Sequence, residues 1–152
     1  MNDKDLLRIE QLEQSIAPFR PNSSAQVPNG GWVRAIREAL GMTNVQLAKR
    51  LGRKPQTIED MQQYEAAGTI KLQTLRALAD ALECRFVYAL VPKVPLEQLL
   101  RDRARVVAQQ QLTNVAHSMN LEDQGVTPNE EERELKRLIE KLLSGNRKIL
   151  WE

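Results

Sequence analysis

The stretch LAKRLGRKPQTIEDM, residues 47–61, carries the pattern on which the fold turns. Leu47, Ala48 and Leu51 sit on one side of a short helical run. Gly52 follows at the point where the chain must change direction, because glycine enters left-handed backbone without steric cost. Pro55 suits the first turn of a second helix, where its missing N–H costs nothing. Ile58 and Met61 then give that helix an inner face. A small residue at 48, a glycine at 52 and a β-branched residue at 58 are what two short helices need to cross steeply through a tight turn.

Working outward, Thr43 is an expected N-cap for a helix over Asn44–Leu51, and Gln46 three residues on completes a capping box. An earlier helix is expected over Trp32–Leu40, with Trp32, Ile36 and Leu40 on one face and Trp32 in the core. Gly41 ends it. Beyond the second helix of the pair, Leu72–Leu82 reads as a strong helix with Leu72, Leu75, Leu78, Ala79 and Leu82 apolar. Cys84 follows as a buried small residue. RFVYALV, residues 85–91, is short, rich in β-branched and aromatic residues, and stopped by Pro92. It reads as one strand needing a partner, most simply the same strand of a second subunit.

The flanks are helical. Asp3–Ile16 has Leu6, Ile9, Leu12 and Ile16 at spacings of three and four. PNSSAQVPNGG, residues 21–31, is a linker. A long helix is expected from Leu96 to about Leu121, and a last one over Asn129–Leu143 behind Thr127-Pro128. The domain reading is therefore 1–30 for an N-terminal helix and linker, 31–83 for the central helical domain, 84–93 for the strand, and 94–152 for C-terminal helices.

Composition limits the function classes. Of 152 residues 41% are hydrophobic, 28% are charged and only 4% are aromatic, so aliphatic side chains on helices must build the core. No apolar run approaches the ~18 residues of a membrane span. The start MNDKDLLRIEQLEQ lacks the basic and apolar regions of a signal peptide, and Cys84 is the only cysteine, so a cytoplasmic setting is expected. Net charge is +2. Residues 30–92 hold nine basic against six acidic side chains, so the positive excess sits in the central domain. No phosphate loop, HExxH, nucleophile elbow or Cys/His pair occurs. His117, the only histidine, stands alone on a polar helix. The expectation is a binding protein rather than an enzyme, with no cofactor and no metal.

Residues 42–83 resemble the Cro/C1-type, or XRE-type, family of helix-turn-helix repressors. VQLAKRLGRKPQTIEDMQQYE is similar to its core and TIKLQTLRALADALEC to the helix that follows. GWVRAIREALGMTNVQLAKRLG together with YEAAGTIKLQTLRALADALECRFVYALVP resembles a narrower family, the "mobile mystery protein A" group, whose genes accompany those of Fic-domain proteins. The resemblance implies a mainly α chain with a lambda-repressor-like helix-turn-helix domain, one short β-strand and flanking helices. It implies double-stranded DNA as partner, read as an inverted repeat by a homodimer, and a repressor that is also the antitoxin of a Fic-type enzyme.

Carried over by position, the base-reading residues are Gln56, Thr57 and Asp60. Gln suits adenine, Thr offers a hydroxyl or a methyl group, and Asp accepts from cytosine. Asn44 matches a phosphate-contacting position, and Lys49, Arg50, Arg53 and Lys54 are candidates for phosphates. Pro55 removes a polar contact common in the family, and Glu59 with Asp60 makes the reading face acidic. Specific, salt-sensitive binding of moderate strength is expected. The bland alternative is that Gln56, Thr57 and the four cations form a solvated surface. A second class of function is a pure interaction protein. Ser118-Met119-Asn120-Leu121-Glu122-Asp123 comes close to the inhibitory motif of Fic-enzyme inhibitors but ends in Asp. The tail at Trp151 either docks a partner or tucks onto its own subunit.

Overall fold

The computed structural model describes residues 3–119 and 127–152. The helices are α1 (Asp3–Ile16), α2 (Trp32–Ala39), α3 (Asn44–Leu51), α4 (Pro55–Ala67), α5 (Leu72–Ala81), α6 (Leu96–Met119) and α7 (Pro128–Ser144). Short 3₁₀ turns cover Ala17–Asn22 and Arg147–Trp151. The chain divides into two compact units. One spans Pro21–Ala89; the other joins the N-terminal helix to the chain from Leu90 onward.

The Pro21–Ala89 unit is built on Val33, Leu47, Ala48, Ile58, Leu78 and Leu82, with Ile36, Met42, Leu51, Met61, Ile70 and Leu75 packed around them. Leu47, Ile58 and Leu78 are wholly removed from water. Each contributes about 1.5–3 kcal/mol by that burial. The helix ends follow from backbone chemistry. Thr43 Oγ1 accepts from the Gln46 N–H at 3.2 Å, and Gln46 Oε1 accepts from the Thr43 N–H at 2.8 Å, so both start-of-helix donors are satisfied. At the end of α3, Arg53 N–H donates to Ala48 O and Gly52 N–H to Lys49 O. This Schellman arrangement needs a left-handed residue, and Gly52 has φ 62°. A Cβ there would meet nothing within 4 Å. Gly52 is thus required by its dihedral angle and not by close approach of the two helices.

The same closing pattern ends α5, where Cys84 N–H donates to Ala79 O and Glu83 N–H to Asp80 O. Here the left-handed position, φ 57°, is held by Glu83. Where α2, α3 and α4 use Gly41, Gly52 and Gly68, α5 therefore carries a side chain.

Three expectations are corrected. Residues 85–91 form no regular element, and no strand occurs among the described residues. A strand exists only through pairing, and no backbone–backbone hydrogen bond joins these residues to others among the described residues. They are anchored instead through side chains. The Phe86 and Tyr88 rings stack at 5.8 Å, and the Arg76 guanidinium lies 5.7 Å over the Phe86 ring. Trp32 is not core: it is 48% exposed, while its neighbour Val33 is 3% exposed. The inner face of α2 runs through Val33 and Ile36 instead of Trp32 and Ile36, and Leu40 also faces water. Cys84 is half-buried, not buried.

The second unit packs α6 on α7 through Ala104, Val107, Leu143 and Leu150, with Leu100, Ile139 and Leu142 beside them. Arg103 donates through Nε to Leu150 O, which tethers the terminal 3₁₀ turn. Trp151 remains exposed. Glu13 of α1 accepts from the Leu96 N–H at 2.8 Å and from Arg20 Nη2 at 2.6 Å. These bonds hold its carboxyl below the usual carboxylate range, the Leu96 N–H contributing most. Arg147 pairs with Asp5 at 2.7 Å. Glu130 closes the start of α7, accepting from the Thr127 N–H and hydroxyl at 3.0 and 2.8 Å. No described helix is long and apolar enough to cross a membrane. The motif expected at Ser118–Asp123 falls almost wholly outside the described residues.

Candidate nucleic-acid interface

α4 is the element on which the sequence expectation rests. Pro55 opens it and Gly68, at φ 73°, closes it. With 3.6 residues per turn, Ile58, Met61, Gln62 and Glu65 fall on its inner side, and Gln56, Asp60 and Gln63 on its outer side. The burial agrees. Ile58 and Gln62 are buried, Met61 and Glu65 half-buried, and Gln56 and Gln63 exposed; Asp60, bonded to Gln56, is half-buried. Gln63 shares the outer face and was not singled out by sequence, although its spacing of seven from Gln56 points to it.

Gln56 Nε2 donates to Asp60 Oδ1 at 3.2 Å, one turn along. The second hydrogen of that amide and its oxygen stay available, so the bond steadies Gln56 without exhausting it. Thr57 is half-buried, and its backbone N–H is taken by Lys54 O at 3.0 Å. Gln56, Thr57 and Asp60 therefore lie close together at the start of α4.

Glu59 does not join them. Its Oε1 accepts from Arg34 Nη2 at 2.9 Å and its Oε2 from Asn44 Nδ2 at 2.9 Å. Arg34 on α2 neutralises it, so the outer face is less acidic than the sequence implies. Asn44 is held on both sides, because its Oδ1 also accepts from Gln62 Nε2 at 2.8 Å. One Asn44 amide hydrogen remains for an outside acceptor. Arg34 and Gln62 had no signal in sequence beyond their type: only the fold brings residues 34, 44, 59 and 62 together.

The four cations separate into two kinds. Arg50 donates to Ala81 O at 3.0 Å and pairs with Glu83 at 3.2 Å, so its guanidinium closes the C-terminal end of α5. Its spacing of three from the buried Leu47 places it on that flank. Lys49, Arg53 and Lys54 are exposed around the turn between α3 and α4 and form no ion pair with the described residues. An exposed, uncommitted cation costs little to bring to a phosphate, whereas a committed one must first give up its partners.

One further contact ties α4 to α2. Glu65 Oε1 accepts from the Trp32 N–H at 2.6 Å and Oε2 from the Val33 N–H at 3.1 Å. A carboxylate from one helix thus satisfies the free donors at the start of another, with the favourable sign for the helix dipole.

Residues 33–88 match the helix-turn-helix family. In that arrangement the second helix of the pair enters the DNA major groove with its early residues toward the bases. In this unit the pair is α3 and α4, and the early residues of α4 are Gln56, Thr57 and Asp60. No curated protein and no solved structure matches the chain.

Proposed function

We propose that the chain is a sequence-specific DNA-binding transcription regulator, a binding protein and not an enzyme, working in the cytoplasm. The observation that carries this reading is the outer face of α4. Gln56 and Asp60 stand together on it with the half-buried Thr57 at its edge, and the uncommitted cations Lys49, Arg53 and Lys54 flank the turn that leads into it. Gln56 and Thr57 read base edges, Asp60 accepts from cytosine or orients Gln56, and the three cations contact phosphates. Asn44 adds a phosphate contact through its remaining amide hydrogen. Arg50 contributes by holding α3 to α5.

One such helix reads too few base pairs for useful specificity, so we read the active form as a homodimer on an inverted repeat, with the two α4 helices about 34 Å apart. The exposed side chains of Val87 and Tyr88 support a dimer contact within residues 84–93. The resemblance of residues 31–92 to the mobile mystery protein A group supports a finer version, an autorepressor whose operon includes a Fic-domain partner.

The test is fluorescence anisotropy of the purified protein on a labelled duplex from upstream of its own gene, with unrelated duplex as competitor. Competitor-resistant binding that weakens steeply with salt supports the reading. Equal affinity for both duplexes overturns it. For the antitoxin version, Glu122→Ala is expected to lose inhibition of the Fic partner while keeping DNA binding; unchanged inhibition removes that motif from the account.

A further inference from the structure

We propose that Gln62, with Glu59 as a second arm, is a positioning residue that aims the outer face of α4. This rests on the DNA-binding reading above and deepens it by assigning specificity to residues that touch no base.

Among the described residues Gln62 is the buried polar side chain, with none of its surface exposed. It lies on the inner side of α4, away from Gln56, yet it connects three helices. Its Nε2 donates to Asn44 Oδ1 of α3 at 2.8 Å and to Ile58 O of its own helix at 3.2 Å. Its Oε1 faces Arg37 Nη2 and Nε of α2 at 3.3 and 3.4 Å, and Arg34 Nε at 3.5 Å. Glu59, one turn nearer the N-terminus of α4, bridges the same two helices through Arg34 and Asn44. Arg37 is itself fixed by donating to Met42 O at 2.7 Å, in the loop before α3.

Apolar burial is non-directional and fixes a helix's rotation less strictly than directional bonds do. Hydrogen bonds are directional. Two side chains on α4 bonded to fixed groups on α2 and α3 remove that freedom. Buried polar groups of this kind add little net stability but select one arrangement among several. The arrangement selected here is the rotation that turns Gln56 and Thr57 outward. A bidentate amide–adenine contact is geometrically strict, so a small rotation forfeits it while leaving phosphate contacts in place.

The test compares the parent with Gln62→Met and Glu59→Gln. Methionine keeps the volume of residue 62 and removes its hydrogen bonds. Glu59→Gln is half-exposed and keeps the fold safe if the core variant does not. Affinity for the preferred duplex and for unrelated duplex is measured at two salt concentrations. Gln62→Met and Glu59→Gln are expected to lower the ratio of the two affinities roughly tenfold; in the charge-neutral Gln62→Met, affinity for unrelated DNA and the salt slope are expected to stay unchanged. A role only in stability would lower both affinities together. If the parent prefers its duplex and both variants keep that preference, the positioning role falls alone. If the parent shows no preference, the DNA-binding reading falls with it. A DNA-free readout separates the cases. Backbone amide resonances of residues 56 and 57, which Gln62 does not touch, are expected to move in Gln62→Met, and shifts confined to Ile58, Glu59 and the other neighbours of residue 62 overturn the proposal.

Discussion

Replacing Gly31 with alanine tests how α2 is held against α4. Gly31 stands at φ 94° and ψ 166°, a region open almost only to glycine. Placing a residue with a Cβ there costs about 1–3 kcal/mol. The new Cβ would also lie 2.7 Å from Glu65 Cδ and 2.8 and 3.0 Å from the two carboxylate oxygens. Glu65 must then swing away, and the Trp32 and Val33 N–H groups lose their acceptor. Losing such a cap costs about 1 kcal/mol. The expected total for Gly31→Ala is about 2–4 kcal/mol, a large part of the roughly 5–15 kcal/mol that holds a domain folded. Glu65→Ala alone is expected to cost about 1 kcal/mol. In the Glu65→Ala background the cap is already gone, so Gly31→Ala should cost only its backbone part. The double-mutant cycle is then non-additive by about 1 kcal/mol. Urea unfolding followed by Trp32 fluorescence, with Trp151 replaced by phenylalanine, reads this unit alone. A cost for Gly31→Ala under about 0.5 kcal/mol, or an equal cost with and without Glu65, refutes the reasoning.

Glu83→Gly is expected to stabilise the Pro21–Ala89 unit by about 0.5–1 kcal/mol, because it relieves a left-handed side chain and loses only an exposed ion pair with Arg50; the urea midpoint checks it. Glu13 contributes to the other unit in a pH-dependent way. Its folded carboxyl titrates below the unfolded one, so its contribution is present above the unfolded value and fades as pH falls toward the folded value. Acid unfolding followed by Trp151 fluorescence, with Trp32 replaced, should show a shallower acid limb for Glu13→Gln than for the parent.

The parts of the fold legible in sequence are those set by local chemistry. Thr43 with Gln46, Thr127-Pro128 ahead of α7, Pro55 at the head of α4 and Gly52 at the end of α3 each act over a few residues. The inward positions of Leu47, Ala48 and Ile58 follow from periodicity, and the core confirms them. What escaped sequence depends on partners distant along the chain. Glu59 reads as an exposed acid until Arg34, 25 positions earlier, is brought beside it. Asn44 and Arg50 read as free for phosphate until Gln62 and the end of α5 engage them. Trp32 and Val33 are adjacent on α2, and it is Val33 that meets Leu47, Ile58 and Leu78, residues distant along the chain. Strand propensity over residues 85–91 is genuine, but a strand is a relation between two segments and cannot be read from one.

The central claim is that the outer face of α4 reads base edges while the cations around the turn hold the backbone. Parallel titrations of Gln56→Ala and Lys54→Ala, on the preferred and an unrelated duplex at several salt concentrations, test it most directly. The account predicts that Gln56→Ala loses about 1–3 kcal/mol on the preferred duplex alone with its salt slope intact, and that Lys54→Ala weakens both duplexes alike and lowers the slope by about one. If Gln56→Ala binds both duplexes as the parent does, or Lys54→Ala leaves the slope unchanged, α4 is not the reading helix in the form described.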